Sequence, residues 1–172
     1  VIDLHTLYTG HAPDVFRFAL HLSGDRDEAA DLTAETFVRA WASSGRIRMS
    51  TVRSYLFTIT RNLYRNSLRQ RRRHVELDDT LHDPGPGPAV EAERSAQLAF
   101  AREALMSLPE VDRAALVLRA VEEMPYGEIA ETLGISLASV KVKIHRARRA
   151  LLELRDAPGP ARSPAREEET NE

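Results

Sequence analysis

Met124–Arg149 reads MPYGEIAETLGISLASVKVKIHRARR, and the fold is decided by its punctuation. Glu128, Ile129 and Ala130 fall in a short helical pattern that ends at Leu133–Gly134. Gly134 stands where a chain leaving a helix turns left-handed, a conformation that costs glycine almost nothing. Ser136 then offers its side-chain oxygen to the open N–H groups of a second helix. On that helix Val140, Ile144, Ala147 and Leu151 are spaced four, three and four, which lines one stripe inward. Its other faces carry Lys141, Lys143, His145, Arg146, Arg148 and Arg149. Two short helices, a glycine turn and a basic second helix describe a helix-turn-helix, whose second helix enters the major groove of DNA. An ordinary helical hairpin with a solvated basic face shares the same turn. Pro125 occupies the N-cap place of the first helix, with Gly127 just inside, so that helix starts without a side-chain cap. Ala130 is small enough for the two helices to approach closely.

Immediately upstream, a helix beginning before Leu98 is expected to run to about Leu108, with Pro109 starting the next, where proline is tolerated. Leu105, Leu108, Ala115, Leu116, Val117 and Val121 offer the apolar surface for the helix-turn-helix. Further upstream, residues 74–96 contain HDPGPGPAVEAE. Alternating Pro and Gly hold neither helix nor ladder, so the segment reads as a flexible acidic linker. Its roughly 22 residues span about 70 Å when extended, and that is about two turns of DNA at 34–36 Å each.

Before the linker three more helices are expected. Over 3–22 the apolar positions Leu4, Leu7, Tyr8, His11, Val15, Phe18, Ala19 and Leu22 repeat as one helix face, with Pro13 set to kink or split it. His11 reads as a core or boundary histidine rather than a ligand. Asp25 and Glu28 form a capping box for a second helix running to about Ala42. Ala30, Ala34, Phe37 and Trp41 are its expected buried stripe. Asp31, Glu35 and Arg39 occupy a neighbouring face, and Leu32 and Val38 are left outside the stripe as a possible partner surface. Ser50 is the expected cap of a third helix over 51–72, which buries Val52, Tyr55, Leu56, Ile59 and Leu63. Arg53, Arg61, Arg65, Arg69 and Arg72 track along another of its faces beside Phe57, Asn62 and Tyr64. Cations neutralise phosphates and rings stack on exposed bases, although Phe57 and Tyr64 serve equally well as core.

Composition bounds the rest. With 172 residues the chain fits two small modules, and with 6% aromatic content and scattered strand formers it reads as all-α. It contains no cysteine, which excludes disulfides and thiolate zinc sites. No HExxH pairing, phosphate loop or nucleophile elbow is present, so neither metal, cofactor, small-molecule substrate nor enzymatic chemistry is expected. No apolar run is long enough to span a membrane and no signal peptide is visible; a cytoplasmic location is expected. Charge is arranged in blocks: Arg46 to Arg73 holds nine arginines and no acid, from Glu76 to Glu93 acids dominate with no Lys or Arg, and Lys141 to Arg149 is basic again. Such blocks suggest two nucleic-acid surfaces flanking an acidic connector. Residues 156–172 lose all periodicity and read as a disordered tail.

DLTAETFVRAW (Asp31–Trp41), SYLFTITRNLYRNSLRQRRR (Ser54–Arg73), SLPEVDRAALVLRAVEEMPYGEIAETLGIS (Ser107–Ser136) and SVKVKIHRARRAL (Ser139–Leu151), in that order, resemble the extracytoplasmic-function sigma factors of the sigma-70 family. The resemblance implies region 2 over 1–73, the linker over 74–96, region 4 over 97–155 and the tail over 156–172. It implies docking on core RNA polymerase through Asp31, Leu32, Glu35, Phe37, Val38 and Arg39. Melting and capture of the −10 element would fall to Arg46, Arg48, Arg53, Phe57, Arg61, Asn62, Tyr64 and Arg65. Reading of the −35 duplex would fall to Ser136, Ser139, Lys141, Lys143, His145, Arg146, Arg148 and Arg149. Such proteins are commonly held by an anti-sigma factor. The chain departs from the family pattern at Ala34, where Gln is usual, at Asn66, where Asp is frequent, and at Pro125, which replaces a capping Ser or Thr. A stand-alone dimeric helix-turn-helix regulator is the competing reading; it requires a self-complementary surface near the reading head.

Overall fold

A computed structural model of the chain describes residues 3–43, 51–75 and 92–157. The described residues form seven α-helices and no strand: α1 Leu4–Ser23, α2 Arg26–Ala42, α3 Val52–Val75, α4 Ala92–Met106, α5 Glu110–Ala120, α6 Tyr126–Leu133 and α7 Leu137–Asp156. Helical chain therefore enters the 74–96 segment from both ends, and residues 76–91 lie outside the described set, as do 158–172.

Local chemistry sets the ends. Asp3 caps α1 by accepting from the N–H of Thr6, and Gly24, with φ of 70°, closes it. Asp25 accepts from the N–H of Glu28 at 2.8 Å, as the capping box requires, but the Glu28 carboxylate turns away to Ser67 at 2.8 Å and to Arg71. Ser50 lies outside the described residues; the hydroxyl of Thr51 accepts from the N–H of Ser54 at 3.1 Å and does the capping of α3. Pro109 precedes α5 as its N-cap rather than sitting inside it. α1 runs unbroken through Pro13, which lies on the exposed side where the lost N–H bond meets water.

The buried side of α2 is rotated from the expected stripe. Ala29, Leu32, Thr33, Thr36, Phe37 and Ala40 face inward, while Ala30, Ala34 and Trp41 are exposed. α2 packs against both α1 and α3, so its buried arc spans two neighbours. Two threonines complete that arc because their hydroxyls donate to carbonyls one turn back, Thr33 to Ala29 at 2.7 Å and Thr36 to Leu32 at 2.6 Å. Thr36 also meets Thr60 of α3 at 3.0 Å.

α1–α3 form one module and α4–α7 another, and the two pack together through α3 on α6 and α1 on α4 and α5. Leu56, Phe57, Leu118 and Ile129 are all fully buried in a single continuous core. Val121, expected in the apolar surface, is partly exposed at 37%, because α5 ends at Ala120 and the chain turns outward there.

Candidate nucleic-acid and partner interfaces

The helix-turn-helix forms as its punctuation demands. Gly134 adopts φ of 65°, and the Ser136 hydroxyl accepts from the N–H of Ser139 at 3.1 Å. α6 has Pro125 at its N-cap and no side-chain cap. Val140, Ile144 and Ala147 are buried, and Leu151 is half-buried. This leaves Lys141, His145, Arg146, Arg148 and Arg149 exposed on α7, with Lys143 and Ser139 half-buried. Arg146 is tied bidentately to Asp112 of α5, at 2.6 and 2.9 Å, and this contact raises its pKa. Lys143 stands 3.6 Å from the same carboxylate. Arg149 meets Glu153 one turn on, at 3.4 Å, in a fully solvated pair.

On α2, Asp31, Glu35, Val38 and Arg39 are exposed, and Glu35 holds Arg39 at 2.7 Å. Leu32 and Phe37 are instead core, at 7% and 3% exposure, the Phe37 ring lying edge-on to Tyr8 at 4.9 Å. Two grooves flank this helix. One is acidic and lies between α2 and α3, lined by Glu28, Asp31, Glu35, Asn66 and Gln70. The other is apolar, lined by Leu4, Tyr8, Phe37, Val38 and Trp41. The sequence placed Leu4, Tyr8 and Trp41 inside, since helical spacing alone cannot distinguish a core stripe from an uncovered one.

The α3 face differs most from expectation. Arg46 and Arg48 lie outside the described residues. Phe57 is fully buried and Tyr64 nearly so, so neither ring is open to a base in this conformation. Phe57 packs against Phe18 at 4.8 Å. The Tyr64 hydroxyl accepts from Arg113 at 3.0 Å, and burial raises its pKa above the ordinary phenol value. Arg53 and Arg61 reach across to the second module. Arg61 forms a bidentate pair with Glu110 at 2.7 and 3.0 Å and donates to the Leu133 carbonyl at 3.2 Å. Arg53 donates to the Glu122 carboxylate at 2.6 Å and to its backbone carbonyl at 2.8 Å. The Glu122 side chain is fully buried and also receives Arg17 at 2.8 and 2.7 Å. Arg17 is raised in pKa chiefly by that bond, and Asp14 completes the cluster at 2.8 Å from Arg17 and 3.4 Å from Arg53. Asn62 and Arg65 remain exposed.

Sequence reasoning thus missed Asp14, Arg17, Glu110, Asp112, Arg113 and Glu122. Each pairs with a residue far away in the chain, so periodicity carries no trace of them. Local signals are limited to Glu110 and Asp112, acids in the first turn of a helix, and to Asp14 and Arg17, an i,i+3 pair of opposite charge. Among the described residues no group of three or more His, Asp or Glu could hold a metal ion, and no helix is long and apolar enough to cross a membrane.

Known proteins share this arrangement. The Sigma-70 region 2 family model matches residues 7–74, and that for Sigma-70, region 4 matches residues 101–151. The ECF RNA polymerase sigma factor SigE of Mycolicibacterium smegmatis is 37% identical over 147 residues, covering 82% of this chain and 57% of that protein. EcfG of Rhodopseudomonas palustris, also an ECF RNA polymerase sigma factor, is 36% identical over 149 residues, 83% of this chain and 79% of the relative. The sigma factor RpoE from Bartonella quintana, solved in complex with the anti-sigma factor NepR, superimposes with a TM-score of 0.73 at 27% identity, covering 91% of this chain and 99% of that one.

Proposed function

The chain belongs to the extracytoplasmic-function sigma factors of the sigma-70 family, and from that membership we propose that it is a promoter-specificity subunit of bacterial RNA polymerase. In this reading it binds core polymerase, recognises −35 and −10 elements and assists DNA melting, without enzymatic chemistry of its own and in the cytoplasm. The observation that carries the reading is the pairing of an exposed basic α7 behind a glycine turn with an acidic and apolar α2 on the other module. The first suits duplex DNA, where cations contact phosphates and base edges. The second suits a protein partner, for which Asp31, Glu35, Val38 and Arg39 are the accessible groups. An anti-sigma factor is a further proposed partner, by analogy with the relative bound to NepR.

Single-strand capture falls to Asn62 and Arg65, with Arg53 and Arg61 joining them once their carboxylate partners are released. The compact arrangement therefore has to open. Docking on polymerase separates the modules, and the arginines exchange Glu110 and Glu122 for phosphates. A stand-alone dimeric regulator finds no support in the relatives, and no observation favours it.

The test is run-off transcription with core polymerase and the full chain. Initiation is expected from discrete sites that share upstream motifs, and Asp31→Arg with Glu35→Arg is expected to abolish core binding while leaving helicity intact, since surface substitutions shift stability by only about 0.5 kcal/mol. Wild-type core affinity in the double variant would remove α2 from the interface. A chain that binds a palindromic duplex as a dimer, and ignores core polymerase, would overturn the whole reading.

A further inference from the structure

α7 presents its basic groups in two different ways. Arg149 pairs with Glu153 in open solvent at 3.4 Å, where such pairs are weak and screened. Arg146 is anchored to Asp112, whose side chain is 1% exposed, while the arginine side chain itself is 59% exposed. One end of the pair is fixed in the protein and the other stands in solvent.

The geometry fixes which hydrogens remain. A guanidinium has five N–H donors in a rigid fork. Asp112 takes the Nε hydrogen at 2.6 Å and one Nη2 hydrogen at 2.9 Å. Of the three that remain, one on Nη1 and the second on Nη2 form the terminal edge, which points away from the carboxylate, and the other Nη1 hydrogen lies on the Cδ side. That edge matches the two acceptors that guanine shows in the major groove, O6 and N7. An unanchored arginine has to be ordered when it binds; this one is held in place beforehand.

Asp112 has no obvious value to affinity. A buried carboxylate is costly unless paired, and a negative charge behind a DNA-facing helix weakens attraction to phosphates. It lies in the first turn of α5, where the helix dipole favours an anion, and it draws Lys143 to 3.6 Å as well. Spending attraction in this way makes physical sense where discrimination between base pairs is gained.

We propose that Asp112 is a positioning residue for promoter reading: it locks Arg146 so that the terminal edge of the guanidinium selects a guanine in the −35 duplex. The inference rests on the reading of α7 as the duplex-binding helix.

The experiment is selection from a duplex library randomised over a window upstream of a fixed −10 element, using holoenzyme made with the full chain. Wild type is expected to enrich one motif. Asp112→Asn, close in shape, is expected to lower the guanine preference at one position by about fivefold or more, within the 5- to 150-fold that a good bidentate contact supplies. Preference elsewhere in the motif is expected to persist, and affinity for a non-cognate duplex is expected to stay level or rise. In an Arg146→Ala background Asp112→Asn is expected to change nothing further at that position. Equal shifts on cognate and non-cognate duplex would reduce Asp112 to a bare charge and overturn the proposal, as would an unchanged motif. If melting shows Asp112→Asn to be unfolded, Arg146→Gln decides: it removes the guanidinium edge and carries an amide suited to adenine, so retention of the guanine preference would refute the assignment. A wild-type holoenzyme that enriches no motif would overturn the −35 reading itself, a separate and recognisable failure.

Discussion

Glu122→Gln tests whether the compact arrangement is held by charge. The carboxylate accepts three close hydrogen bonds, two from Arg17 at 2.8 and 2.7 Å and one from Arg53 at 2.6 Å, while Asp14 and the backbone carbonyl retain part of each arginine. Hydrogen bonds to charged groups contribute about 1.5–3 kcal/mol and neutral ones about 0.5–1.5. Glutamine keeps one acceptor oxygen and turns an NH2 toward an arginine donor where the other oxygen stood, so at least one of the three bonds is lost outright and the rest lose the carboxylate charge, about 3 kcal/mol in all. Arg17 and Arg53 keep 40% and 31% of their side-chain surface in water. Solvent therefore repays some of the loss, leaving a net effect of about 2–3 kcal/mol. The ratio of packed to parted modules is then expected to fall about 30- to 150-fold. The chain has no cysteine, so Ala30→Cys and Ala138→Cys, at exposed positions on α2 and α7, take a dye pair without interference. Single-molecule energy transfer is expected to show a low-transfer population growing in Glu122→Gln and shrinking as salt is lowered. Transfer histograms that superimpose on those of the parent would show that apolar contact alone holds the modules, and the charge argument would fail.

Two further outcomes follow from the described contacts. Tyr64→Phe removes a buried acceptor from Arg113 and is expected to cost about 1–3 kcal/mol in thermal unfolding, with no selective rescue by a pre-melted −10 template; unchanged stability with impaired strand opening would put the hydroxyl on DNA after all. Gly134→Ala meets no atom within 4 Å of the added Cβ, so its cost is the left-handed backbone alone, about 1–2 kcal/mol, and an unaltered melting temperature would contradict the strain at φ of 65°.

The sequence alone was sufficient wherever the cause is local. Gly134, Ser136 and the spacing of Val140, Ile144 and Ala147 dictate the helix-turn-helix, because caps and periodicity act within one or two turns. Asp25 fixes the start of α2 in the same way. The all-helical class follows from the same signals, and the exposed cations of α7 follow from which face the apolar stripe leaves over.

Tertiary structure decided what pairs across the chain. Arg53, Phe57, Arg61 and Tyr64 share a helix face that reads equally well as a nucleic-acid surface or as an interface. Only the approach of Glu110, Arg113 and Glu122, between 49 and 69 residues away, assigns it to the packing of one module on the other. Thr33 and Thr36 likewise entered the core because α2 lies between two neighbours and their hydroxyls are satisfied within the helix. Asp112 shows the same limit at its sharpest. An acid in a first turn is an ordinary helix signal in one dimension, and it becomes the anchor of Arg146 only when α7 is laid across α5, because electrostatic pairing depends on distance in space and not along the chain.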